Sequence, residues 1–196
     1  MLHELHDWVY HYEPAGGIPL KGTGIVVGIL LVISHLWAYL NREKTQAFLR
    51  AFPRNYFWGV ILLTAALAWS MVCMSYMDMG EFHTLRDNFL YLIPVAYVLV
   101  LVFVKEFLAV RALGCVLLYV GGIVLQAAFM QPPVSRLLLP IVAYAWIIAG
   151  LYFVGMPYLM RDGVNWITAT TSRWNLAAVG GVAYGVITLV AALLWW

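Results

Sequence analysis

The chain has 196 residues, 64% hydrophobic and 10% charged, with a mean hydropathy of +0.88. Soluble domains are nearer half apolar and a quarter charged, so this composition excludes a soluble globular fold. A formal charge of +2 without a basic tract excludes a nucleic-acid partner, and two cysteines exclude a disulfide framework or a Cys-x-x-Cys pair.

Residues 1–21 form a segment ahead of the first apolar run. Leu2, Leu5, Val9 and Tyr12 recur at helical spacing and predict a short interfacial helix with Trp8 at headgroup depth, ended by Pro14, Gly16, Gly17 and Pro19. No basic stretch leads directly into an apolar run, so no cleavable signal is expected.

Residues 22–196 are expected to form one all-α transmembrane domain of six spans, about 22–40, 57–76, 89–104, 112–129, 137–160 and 175–196. The decisive stretch is Phe89 to Phe129. As one helix it would reach roughly 60 Å at ~1.5 Å per residue, twice the ~30 Å hydrocarbon thickness of a bilayer. It must turn, and the charged island Lys105 to Arg111 marks where, which predicts an accessible Ala109. Between the first two spans, Thr45 to Phe52 reads as one or two amphipathic turns stopped before Pro53. Arg161-Asp162-Gly163 reads as the stop of span five, and Ser172 or Asn175 as the cap of span six.

Loop charges set the orientation. Arg42, Lys44, Arg50, Arg54, Lys105, Arg111, Arg161 and Arg173 fall in the first, third and fifth loops, against Lys21, Arg86 and Arg136 elsewhere. By the positive-inside rule those three loops are cytoplasmic, and both termini face the outer, non-cytoplasmic side. The expectation is three hairpins in a multi-pass protein of a prokaryotic cytoplasmic (inner) membrane. Leu92 to Tyr97 resembles Leu139 to Tyr144, and Val120-Gly121-Gly122 resembles Val179-Gly180-Gly181; a duplicated hairpin and a small apolar alphabet explain this equally well. Cys73 and Cys115 are expected at depths roughly 20 Å apart, too far to pair.

Candidate chemistry gathers on the outer side. His3, His6 and Asp7 share one helix face, and with His83, Met74 and Met77 they make a candidate site for Zn or Cu. The plainer reading is a solvated or partner-contacting face, with the methionines filling gaps between helices. His35 is the one histidine within a span, which makes it a candidate axial ligand for a cofactor or, more plainly, a hydrogen-bonded residue of the bundle helped by Ser34. The inner charges read as a stop-transfer turn, or as a site for phosphate or carboxylate headgroups. Gly24-x-x-x-Gly28 and Ala177-x-x-x-Gly181-x-x-x-Gly185 are small-residue stripes that bear on helix packing.

No nucleophile elbow, His-Glu-x-x-His, phosphate-binding loop or dinucleotide fingerprint is present, and no span carries a row of acids or arginines. The sequence names no cofactor and favours no enzyme activity. The leading expectation is a non-catalytic integral membrane subunit or helper of a larger assembly, in contact with the lipid bilayer and with other membrane subunits or copies of itself. A small homo-oligomeric transporter or channel is the second class. A protein using the outward His, acid and Met cluster to hold a metal or cofactor is the third.

Overall fold

The computed structural model describes residues 1–11 and 17–196. Tyr12, Pro14 and Gly16, assigned above to the first helix and its end, lie outside the described residues. The described residues form nine α-helices and no strands: α1 (Leu2–Tyr10), α2 (Leu20–Leu40), α3 (Arg42–Ala51), α4 (Tyr56–Tyr76), α5 (Arg86–Phe103), α6 (Leu108–Ala128), α7 (Leu138–Gly155), α8 (Tyr158–Thr168) and α9 (Thr171–Leu194). Short 3-10 turns at Phe52–Arg54, Gly80–Leu85 and Val134–Leu137 lead into α4, α5 and α7. Six of the helices, α2, α4, α5, α6, α7 and α9, are long and apolar enough to cross a membrane.

In lipid, apolar side chains gain nothing by leaving one apolar phase for another, so helices associate where backbones approach closely enough to make many dispersion contacts. The glycines do this here. A methyl group on Gly28 would lie 2.6 Å from Leu189 Cγ and 3.1 Å from the Gly185 carbonyl, and one on Gly185 would lie 3.0 Å from the Gly28 carbonyl. Gly24 lies against the Trp196 ring and Gly181 against the His35 ring. The two stripes seen in the sequence therefore face one another along an antiparallel α2–α9 pair. Gly114 and Gly150 do the same for α6 and α7, each blocked at 2.8 Å by the other's carbonyl. Gly59 of α4 sits 2.8 Å, by the same test, from the Ala109 nitrogen at the start of α6.

Helix α6 is the hub. It packs on α4 and α7 and touches α2, and 39% of its apolar window is buried, whereas no residue of the α5 window is. Leu20, Val27 and Leu31 of α2 meet Val124 and Ala128 of α6 and Leu139, Val142 and Ala143 of α7 in one cluster. Helix α5 is held through α4, with Thr64 Oγ1 and the Tyr97 hydroxyl 2.8 Å apart and the Tyr56 hydroxyl donating to the Leu101 carbonyl. Contacts thus join α4 with both α5 and α6, α6 with α7, and the first span with the last. The segments Leu92 to Tyr97 and Leu139 to Tyr144, alike in sequence, are used differently: Leu139 and Ala143 are wholly buried, and α5 buries nothing.

Three boundaries differ from the sequence expectation. Helix α7 ends at Gly155 rather than near residue 160, because Pro157 lacks the N–H that would continue it. Pro157 instead opens α8, so Arg161, Asp162 and Gly163 lie inside an amphipathic helix and stop nothing. The start of α9 is capped by Thr170, whose Oγ1 accepts from the Arg173 N–H at 3.4 Å, rather than by Ser172 or Asn175.

The central turn is also tighter than the charges suggest. Phe107 adopts φ 56° and ψ 26°, a left-handed conformation uncommon for a side chain of its size. This reverses the chain early, so α6 begins at Leu108 and presses Leu108, Ala109 and Val110 into the hub. Ala109, expected to be accessible, is 1% exposed. Lys105 and Glu106 hold the solvated part of the turn.

Two glycine substitutions separate close packing from helix propensity. Gly28→Ala meets Leu189 and the Gly185 backbone and is expected to cost about 1–3 kcal/mol through overpacking. Gly180→Ala meets open space on the same helix pair and is expected to stabilise by roughly 0.5–1 kcal/mol. Thermal unfolding midpoints in a mild detergent should move in opposite directions.

Candidate functional site

Two regions bring polar groups together. The first is the end of the bundle where α1 packs on α4 and α6. Trp69, Cys73 and Tyr76 fall at i, i+4 and i+7 on one face of α4, and this face meets α1. Trp69 Nε1 donates to the Tyr10 hydroxyl at 3.1 Å, and that hydroxyl lies 3.2 Å from Cys73 Sγ. Gln126 Nε2 donates to the Tyr10 carbonyl at 2.9 Å, and the Ser70 and Tyr119 hydroxyls are 2.5 Å apart. Burial, reinforced by the neighbouring thiol, pushes the Tyr10 phenol up to about 12, so it stays neutral across physiological pH.

The candidate metal residues divide here. Asp7 draws in both imidazoles, with His3 Nδ1 3.0 Å from Oδ2 and His6 Nδ1 3.3 Å from Oδ1. The Tyr76 ring lies against both, its centroid 5.2 Å from His3 and 5.9 Å from His6. Met74 sits one residue beyond Cys73, about 100° around α4 from the stripe that meets α1, and Met77 lies just past the end of that helix. His83 lies in the 3-10 turn Gly80–Leu85, and no hydrogen bond, ion pair or ring contact joins it to His3, His6 or Asp7 among the described residues. The structure thus gathers His3 and His6 about the Asp7 carboxylate. Among the described residues no group of three His, Cys, Asp or Glu side chains is placed to hold a metal ion. Both cysteines are free thiols.

The second region lies at the opposite end, where the basic residues collect. Helices α2 and α9, locked together by their glycines over most of their length, border an open pocket of about 760 Å³ with α3 and the end of α8. Its walls are mainly apolar: Ile33, Trp37, Phe48, Leu49, Ile167 and Trp174, with Ala177 and Ala178 leaving the floor open. Trp174 Nε1 donates to the Ala38 carbonyl at 3.1 Å and closes one end of the α2–α9 seam.

His35 borders this cavity. Its Nδ1 lies 2.9 Å from the Leu31 carbonyl, with Ser34 Oγ at 3.2 Å. A carbonyl can only accept, so Nδ1 carries the hydrogen and Nε2 of the neutral ring keeps its lone pair. This bond runs to the preceding turn of α2 itself. This tautomer leaves Nε2 as an acceptor or ligand, with the ring set against Gly181. Ser34 of α2 and Lys44 and Thr45 of α3 are the other polar groups on the lining.

Arginines fasten the elements around this end. Arg42 Nη1 donates to Thr171 Oγ1 at 2.8 Å, Arg50 Nη2 to Thr168 Oγ1 at 2.9 Å, and Arg111 Nη1 to the Val154 carbonyl in the last turn of α7 at 2.9 Å. Arg173 stacks 4.6 Å from the Trp166 ring centroid. Cationic donors at helix C-termini complement both the unpaired carbonyls and the dipole. No protein-family model, curated protein or solved structure matches this chain.

Proposed function

We propose that the chain is a non-catalytic, multi-pass membrane component that holds an amphipathic molecule with a long apolar body between α2, α3 and α9, as a subunit or helper of a larger assembly. The 760 Å³ cavity carries this reading. Its size is that of sites for lipid- or cofactor-sized ligands, which pair apolar walls with a few convergent polar groups. Here those groups are His35, whose ring borders the pocket, and Lys44, able to meet an acidic head. Helix α5, which buries none of its residues within the chain, offers the broadest face to lipid or to another subunit.

The orientation belongs to the same proposal. The charge asymmetry across the bundle supports a cytoplasmic basic end, termini on the outer side and residence in a prokaryotic cytoplasmic membrane. Glu106→Cys, at an exposed position of the central turn, should be labelled by a membrane-impermeant maleimide only after the cytoplasmic face is opened. Labelling in intact cells would reverse the orientation.

Filling the cavity tests the binding. Ala177→Phe projects a ring into the space while leaving the glycine contacts of α2 and α9 in place. Mass spectrometry of the protein purified from its native membrane should find a bound apolar molecule, and the substitution should reduce its occupancy about tenfold or more, a difference of about 1.4 kcal/mol in binding. Equal occupancy in a variant with an unchanged unfolding midpoint would contradict the assignment.

A further inference from the structure

A second, smaller cleft of about 230 Å³ lies on the other side of α3, lined by Leu49, Arg50, Pro53, Arg54, Phe107, Arg161, Val164 and Asn165. Pro53 and Val164 are buried and form its floor, while Arg50, Arg54, Arg161 and Asn165 are exposed around it. We propose that Arg50, Arg54, Arg161 and Asn165 form a binding site for the phosphate group of a phosphate ester, carried by an anionic lipid headgroup or by a soluble molecule.

Charge and geometry favour this ligand. Three guanidinium groups surround one cleft, and a guanidinium presents planar, paired N–H donors that match phosphate oxygens two at a time. The nearby acid, Asp162, is engaged with Arg161 Nε at 2.9 Å, which leaves the terminal nitrogens of Arg161 to face a ligand. Arg50 is held in place by its bond to Thr168, so its remaining donors are oriented before any ligand arrives. Arg54 has no hydrogen-bond or ion-pair partner among the described residues and sits on the 3-10 turn. Helix-end complementation accounts for Arg111, and a bond to Thr171 accounts for Arg42.

The backbone adds to the field. The 21-residue helix α6 starts just after Phe107, which lines the cleft, so the positive end of its dipole lies nearby. Asn165 supplies an uncharged amide able to donate to the same oxygens. Basic pockets at the membrane surface bind lipid phosphates by this chemistry. Apart from Leu49, the cleft shares no residue with the cavity beside His35, so the two sites fail independently.

The experiment compares two sources of phosphate on the purified full chain. Native mass spectrometry measures retention of phosphatidylglycerol against phosphatidylcholine with identical acyl chains, and calorimetry measures binding of inorganic phosphate and glycerol phosphate. Arg54→Gln with Arg161→Gln is expected to weaken binding about tenfold or more, as for loss of charge-assisted hydrogen bonds, with a reduced dependence on salt. Arg173→Gln, at the same end but stacked on Trp166, should leave it unchanged. A phosphatidylglycerol preference that the double substitution removes identifies a lipid headgroup. Binding of the soluble phosphates alone, equally sensitive to it, identifies a free phosphate ester. Should the double variant unfold, Arg54→Gln alone carries the test, because that exposed side chain has no partner among the described residues to lose. Absence of both kinds of binding, or binding indifferent to these substitutions, overturns the proposal.

Discussion

The structure depends on how closely two helices approach when water is not there to drive them together. Gly28 and Gly185 bring the α2 and α9 backbones to a distance at which a single added methyl would collide with the opposite carbonyl. Gly114 and Gly150 repeat the device between α6 and α7, and Gly59 uses it between α4 and α6. Dispersion contacts are individually weak, so the gain comes from their number, and only a side chain as small as hydrogen allows that number over several turns. Everything beyond these seams is looser, which explains how one helix, α5, can be part of the bundle and bury nothing.

That contrast between seam and opening places the cavity. The α2 and α9 stripes bring small residues together from Gly24 to His35. Beyond that point α2 carries Trp37 and Ala38, and α9 carries Trp174 with Ala177 and Ala178, so large side chains stand at the edges of a space that small ones leave empty. Helix α3 and the end of α8 cover the space from the basic end, fixed by arginine bonds to Thr168 and Thr171. The same arginine-rich helices border the smaller cleft beside Phe107. At the opposite end the tyrosine and tryptophan of α1 and α4 make a compact network with little space in it, where Tyr10 is satisfied by Trp69, Cys73 and Gln126.

The six spans were legible because apolar length is a direct physical requirement of a bilayer, and the glycine stripes because their spacing is helical. Which stripe met which was not legible, since Gly24 and Gly28 suit any close neighbour equally. Helix α8 was hidden by Arg161-Asp162-Gly163, which resembles a helix end; the stronger signal was Pro157, with Val164 and Thr168 inward and Arg161 and Asn165 outward. The burial of Ala109 depended on one left-handed residue, Phe107, and nothing in its side chain announces that conformation. Of the metal candidates, His3, His6 and Asp7 were brought together as their spacing requires. Met74, one residue beyond Cys73, lies off the face of α4 that meets α1, and Met77 lies past the end of that helix. The cavity beside His35 had only a faint mark in the sequence, a histidine in one span and paired alanines in another.

The central claim is that α2 and α9 part on one side of a glycine seam to hold an apolar molecule. A density map of the protein in lipid nanodiscs made from its native membrane tests it most directly. The account predicts continuous elongated density beside His35, Trp37, Phe48 and Trp174, with the Gly28 and Gly185 backbones still in contact. A map in which α3 and α9 close over that space, leaving it filled by their own side chains, would contradict it.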